Sequence, residues 1–149
     1  MPIKWSKLYN PIMRALLHSP LHGPISRHFM TITFTGRKSG RVYTVPVEYF
    51  YDGDTLMCFT SRDRVWWKNL RGGAPITAHV RGRELQGTAE AITGDVAAFE
   101  AALRAYLRKY PGRAKYFDVR MDADGGPNPE DVARAAAAKV VVRIDMAQD

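Results

Sequence analysis

Between Phe29 and Ile92 the chain passes through five segments rich in β-branched and aromatic residues, without the regular alternation of strands and crossover helices that a doubly wound sheet requires. Antiparallel neighbours need only a turn between them, whereas parallel neighbours need a crossover of about a dozen residues or more. This spacing therefore constrains the fold more than any other feature. Phe29 to Thr35 forms the first segment and ends at Gly36. The next, Arg41 to Phe50, alternates Tyr43, Val45, Val47 and Tyr49 with Thr44, Pro46, Glu48 and Phe50, so the two sets face opposite sides of a strand. Pro46 has no N–H to give to a ladder, which predicts an edge or a bulge there. Asp52-Gly53-Asp54 predicts a hairpin turn into a strand over Thr55 to Thr60. Pro75 to Arg81 and Glu84 to Ile92 predict a second hairpin turning at Gly82-Arg83, and Val140 to Ile144 a final strand.

Helical signals lie around this β-rich centre. Asn10-Pro11 with Trp5, Leu8, Ile12 and Leu16 predicts an amphipathic helix over residues 5 to 18, and Val65 to Arg71 a short one closed by Gly72-Gly73. Asp95 is placed to cap a longer helix with Phe99, Leu103, Tyr106 and Leu107 on its apolar face, ending at Pro111-Gly112. After a loop over residues 118 to 127, Asn128-Pro129 starts an alanine-rich helix that runs to Ala138. The expected fold class is α+β: an antiparallel β-barrel with peripheral helices, one domain over residues 1 to 149, with residues 1 to 28 as a helical extension.

With 46% hydrophobic residues the chain can build this core without a disulfide or a metal. Cys58, the single cysteine, sits in the apolar run Leu56-Met57-Cys58-Phe59 and is expected to be a buried thiol. No stretch approaches the roughly 20 apolar residues of a membrane span, and the N-terminal residues lack a signal-peptide centre, so a cytoplasmic location is expected. The net charge of +7 favours anionic partners. His18, His22, His28 and His79 show no metal-ligand spacing, and no metal is expected.

The charge is concentrated where chemistry is easiest to imagine. Gly36 and Gly40 permit a tight turn, and Arg37, Lys38 and Arg41 place three cations beside the Ser39 hydroxyl. Two arginines able to bind an anion in bidentate fashion and a lysine acting as a point charge suit phosphate or carboxylate; a solvated basic turn is the alternative. The Lys-Ser pair is not a Walker loop, because the first glycine of that motif is missing. Downstream follow Thr44-Val45-Pro46, Thr60-Ser61 and Trp66-Trp67-Lys68-Asn69-Leu70.

In the order and spacing of Thr35-Gly36-Arg37-Lys38-Ser39-Gly40, Thr44-Val45-Pro46, Asp52-Gly53-Asp54 and Trp67 to Leu70, the chain resembles the deazaflavin (F420)-dependent nitroreductase and quinone reductase family of the split β-barrel flavin-binding superfamily. The resemblance spans about Phe29 to Ala91 and implies coenzyme F420, an 8-hydroxy-5-deazaflavin, as cofactor. It implies that Gly36 to Arg41 hold the phosphate and oligoglutamate tail, and that the backbone at Thr44, Val45 and Pro46 and the strand end at Thr60 and Ser61 face the ring. Trp67 and Asn69 match the family's Trp-x-Asn-Leu element, so Trp67 is expected to face the ligand and Trp66 the core. Tyr43 stands where the family often has arginine, and Lys68 where it often has histidine.

The implied activity is hydride transfer from the reduced cofactor to an electron-poor small molecule such as a quinone or nitro compound. This needs placement instead of a catalytic triad. Tyr49 and Ser61 are the candidate proton donors, with a packed strand aromatic as the alternative for Tyr49. FMN is the alternative cofactor, and a carrier or sensor of F420, FMN, haem or a lipid-like ligand the alternative function. Nucleic acid is not an expected partner, since the cations cluster in one loop instead of lining a strand face. The N-terminal helix, with Lys4, Lys7 and Arg14, suits a membrane surface, a barrel face or a homodimer seam.

Overall fold

The computed structural model describes residues 29–146. Six strands close into an antiparallel barrel: β1 (Phe29–Thr35), β2 (Val42–Asp52), β3 (Thr55–Ser61), β4 (Ala74–Val80), β5 (Arg83–Ile92) and β6 (Lys139–Met146), in the order β1-β2-β3-β6-β5-β4. Two α-helices, α1 (Val96–Lys109) and α2 (Pro129–Ala138), and two 3-10 helices, Trp66–Leu70 and Pro111–Phe117, complete the described chain. The helix expected over residues 5 to 18, with its membrane or dimer role, lies outside the described residues, as do His18, His22 and His28. No helix among the described residues is long and apolar enough to cross a membrane.

Alternation along the strands builds two cores. Met30, Ile32 and Phe34 of β1, Val45, Val47 and Tyr49 of β2, and Val140, Val142 and Ile144 of β6 fill the barrel. The opposite faces carry Phe50, Met57 and Val141, which pack against α1 and α2 through Phe99, Leu103, Tyr106 and Val132. A strand such as β6, covered on both faces, reads as a continuous apolar run because both sets of side chains are buried. Cys58 is fully buried, and burial pushes its thiol up to about 12, which leaves it inert as a nucleophile.

The barrel is split between β2 and β3. Their ladder covers only Tyr49↔Cys58 to Asp52↔Thr55, whereas β2 pairs with β1 from Glu48 to Val42. Residues 42 to 48 of β2 therefore have an open edge on the β3 side, and Pro46 sits within it, as its missing N–H requires. The connection after β3 runs past this gap and forms the Trp66–Leu70 helix.

Two local expectations are corrected. The second hairpin turns at Arg81-Gly82, with φ of 52° and 77°, and not at Gly82-Arg83. A two-residue hairpin turn of this hand needs positive φ at both central positions, and glycine is most favourable at the second. Pro111 ends α1 as expected but also starts the 3-10 helix Pro111–Phe117, which terminates at Asp118 with φ 55°. Proline suits a first helical turn as well as it blocks an interior one, so the sequence signal was ambiguous.

Candidate functional site

The basic turn between β1 and β2 is braced from within. Gly36 N–H donates to the Arg41 carbonyl at 2.7 Å, and Gly40 N–H to the Gly36 carbonyl at 2.9 Å. Ser39 Oγ accepts from Arg41 N–H at 3.2 Å and bonds the Tyr43 hydroxyl at 2.9 Å. Tyr43 lies so close that a Cβ on Gly36 would meet its ring at 2.6 Å, so residue 36 has to be glycine for this packing to persist. Arg37 N–H donates to Asn69 Oδ1 at 2.9 Å, and Asn69 Nδ2 to the Trp66 carbonyl at 3.0 Å, which fastens the turn to the 3-10 helix across the gap. Four of the turn's N–H groups are thus engaged by the protein itself. Attraction for an anion comes chiefly from the side chains.

Between the turn and the helix lies a cavity of about 580 Å³, within the range of small-ligand sites. Arg37, Lys38, Lys68 and Arg71 line it with no carboxylate, and Phe34, Tyr43 and Trp66 form its apolar wall. Ring centroids of Phe34 lie 5.9 Å from Tyr43 and 6.1 Å from Trp66. Neither these four cations nor Arg41 has a carboxylate partner within 4.0 Å among the described residues. Arg71 is steadied instead by its guanidinium lying 4.9 Å above the Trp67 ring.

The structure exchanges the expected roles of the two tryptophans. Trp67 is 1% exposed and packs into the barrel with Leu70, while Trp66 lines the cavity. In a 3-10 helix, residues three apart share a face, so Trp67 and Leu70 go to the core, Trp66 and Asn69 to the turn, and Val65, Lys68 and Arg71 to the cavity. That period of three was the signal by which Lys68, Arg71 and Trp66 could have been found.

A second cavity, of about 310 Å³, opens on the outer face where β2 and β3 part. Thr60 and Ser61 line it, together with Glu48, Arg64, Lys139 and the ring of Phe117. Glu48 Oε1 accepts from the Tyr106 hydroxyl at 2.9 Å and from Arg113 Nη1 at 2.8 Å, while Arg113 stacks 4.1 Å above the Tyr110 ring. Burial, foremost, pushes the Tyr106 phenol up to about 12. Lys139 Nζ makes a long 3.4 Å contact with Ser61 Oγ, across the Ser61↔Lys139 pair of the β3–β6 ladder.

Of the remaining residues picked out from the sequence, Gly36, Arg37, Lys38, Ser39 and Asn69 come together at the first cavity, with Gly40 and Arg41 in the same turn. Thr44 bonds Thr33 through their hydroxyls at 2.8 Å, Val45 points into the barrel, and Pro46 lies on the open edge between the cavities. Tyr49 is 2% exposed inside the barrel and lines neither cavity. Arg64 lines the second cavity and its sequence neighbour Val65 the first. From Tyr43 to Glu48 is five residues of strand, about 17 Å.

Among solved structures, the fold is similar to an FAD and heme binding protein from Mycobacterium smegmatis, at 18% identity and TM-score 0.53, over 81% of this chain and 62% of that one. This chain thus spans less than two thirds of that protein. A general stress FMN/FAD binding protein from Xanthomonas citri matches at 17% identity and TM-score 0.50, over 83% and 78% of the two chains. A protein described as a domain-swapped dimer matches at 16% identity and TM-score 0.53, over 96% and 99%. These likenesses establish the antiparallel split β-barrel. No curated protein sequence matches the chain. Residues 18–122 match the family described as F420H(2)-dependent quinone reductase, and that span holds the basic turn, the open strand edge and both walls of the first cavity. On this match over most of its length, the chain belongs to the F420H(2)-dependent quinone reductase family.

Proposed function

We propose that this protein binds reduced coenzyme F420 and passes its hydride to an electron-poor small molecule of the quinone type. The observation that carries the proposal is the first cavity: four cations, no carboxylate and an aromatic wall, held open by the Asn69 brace. A phosphate and a polyglutamyl tail supply the several anionic groups such a cavity can satisfy, and the charge-assisted hydrogen bonds involved are the stronger kind. The residues present fit the acidic end of the coenzyme. When bound, the coenzyme supplies a two-electron hydride donor.

The chain's own task is placement. Arg37, Lys38, Lys68 and Arg71 hold the acidic end. The open edge of β2 at Val45 and Pro46, free of ladder partners on the β3 side, offers backbone groups against which the flat ring can lie. The wall of Phe34, Tyr43 and Trp66 keeps water from one side. No side chain has to act as a nucleophile, so the rate depends on approach distance and exclusion of water.

A fluorescence titration at moderate salt tests this: F420 is expected to bind more tightly than FMN, whose single phosphate uses fewer of the cations. Equal or reversed affinities would remove the case for the coenzyme. Tight binding with no coenzyme oxidation across a panel of quinones and nitroaromatics would make the protein a carrier or sensor.

A further inference from the structure

The first cavity is graded from its inner wall to its rim. Phe34 is 3% exposed, Tyr43 and Trp66 are half-buried, and Arg37, Lys38, Lys68 and Arg71 stand exposed around the mouth. The acidic end of coenzyme F420 uses the rim alone, because phosphate and glutamyl carboxylates carry no flat apolar group. We infer that the cavity is also a site for a nucleoside polyphosphate, which lays its base on the aromatic wall and its phosphates among the four cations, and so competes with the coenzyme. The competition rests on the function proposed above; the nucleotide site does not.

Two observations select a ligand that is flat at one end and multiply charged at the other. The Phe34 ring stands 5.9 Å from that of Tyr43 and 6.1 Å from that of Trp66, with interplanar angles of 43° and 34°, so the three make a shallow surface of tilted rings. A planar base can cover such a surface, and every base has a face with which to do so. The four cations have no carboxylate within 4.0 Å among the described residues. A single phosphate leaves part of that set unmatched, whereas a di- or triphosphate spans it.

The two halves of the site are tied to each other. Arg37 N–H donates to Asn69 Oδ1, and Asn69 Nδ2 to the Trp66 carbonyl, so the cations of the turn are held beside the ring of Trp66, on the helix that also carries Lys68. The N–H groups of Gly36, Arg37, Gly40 and Arg41 are all engaged by the protein, so phosphates meet side chains here and not a backbone nest. Exposed side-chain charge is screened by salt. A nucleotide held in this way therefore binds in a salt-dependent manner and exchanges readily.

Calorimetric titration of the full chain with AMP, ADP, ATP and inorganic tripolyphosphate, in magnesium-free buffer, tests the site without coenzyme. Affinity is expected to rise from AMP to ADP to ATP and to fall with salt. ATP should bind about fivefold or more tighter than tripolyphosphate, the effect of one stacked base. Trp66→Leu, which fills the space without a flat face, should remove that advantage and leave tripolyphosphate binding as before; Trp66→Phe should keep most of it. Lys68→Ala should weaken ATP and tripolyphosphate alike by about fivefold or more, whereas Arg108→Ala, on α1 beside Asp52, should change neither. No binding of ATP, equal affinity for ATP and tripolyphosphate, an advantage that survives Trp66→Leu, or equal losses in Lys68→Ala and Arg108→Ala each overturns the inference. In a fluorescence titration of F420, ATP should raise the apparent Kd of the coenzyme in step with its own occupancy, and a ternary complex with both affinities intact overturns the competition. ATP bound by a protein that fails to bind F420 removes the proposed function and leaves the nucleotide site standing; F420 bound by a protein that fails to bind ATP does the reverse.

Discussion

The two cavities share β2 and differ in how their charges are settled. In the first, Arg37, Lys38, Lys68 and Arg71 face one space, so folding brings like charges together with no carboxylate to offset them. In the second, the principal carboxylate is already matched: Glu48 is bonded by Arg113 and Tyr106, tying β2 to α1 and to the following 3-10 helix. Unmatched charge serves binding at the expense of self-repulsion. Matched charge serves the fold. The comparison therefore predicts that variants in the two cavities separate affinity from stability.

The largest effect is expected at the first cavity. Arg37→Ala and Lys38→Ala should each weaken F420 binding by about 1–3 kcal/mol, the scale of a lost charge-assisted hydrogen bond, and leave thermal melts of the free protein almost unmoved. Binding equal to that of the parent would reduce the turn to a solvated hairpin and dissolve the contrast. Next comes Glu48→Gln, which leaves Arg113 without its charge partner. The pair is about one-third exposed, at 34% and 28% for the two side chains, so screening reduces the cost. Urea unfolding should show a loss of about 1–2 kcal/mol with F420 affinity preserved; a variant as stable as the parent that binds F420 poorly would reverse the assignment of the two cavities. The smallest effect sharpens the comparison within the first cavity. Tyr43→Phe keeps the ring packed over Gly36 but removes the bond to Ser39 Oγ, and should cost about 0.5–1 kcal/mol of F420 binding. A larger loss would mean that the Tyr43 hydroxyl touches the ligand itself.

The architecture was legible because its signals are local. The strand period, Pro46 on an unpaired edge, Asp95 accepting from Ala98 N–H and Asn128 accepting from Asp131 N–H each depend on neighbours a few residues away. The basic turn was legible for the same reason, since its three cations and two glycines fall within one hairpin. Trp66 was misassigned because adjacent tryptophans are equivalent to a sequence reading, and only the pitch of a 3-10 helix decides which one faces the core. Lys139 and Glu48, which line the second cavity, carry no such signal. Nothing near them in sequence distinguishes a cation at a strand start or a glutamate on an outer face.

What the sequence alone determined, then, is the class of fold and the basic character of the turn between β1 and β2, because hydrophobic period and charge density are properties of short segments. Which residues meet across the cavities was decided by closure of the barrel. The Arg37–Asn69 bond spans 32 residues, the Ser61–Lys139 contact 78 and the Glu48–Arg113 pair 65. Such contacts carry no local signature, because each is fixed by strand register and by the place where β2 and β3 part, and register is set by which faces all six strands can bury at once.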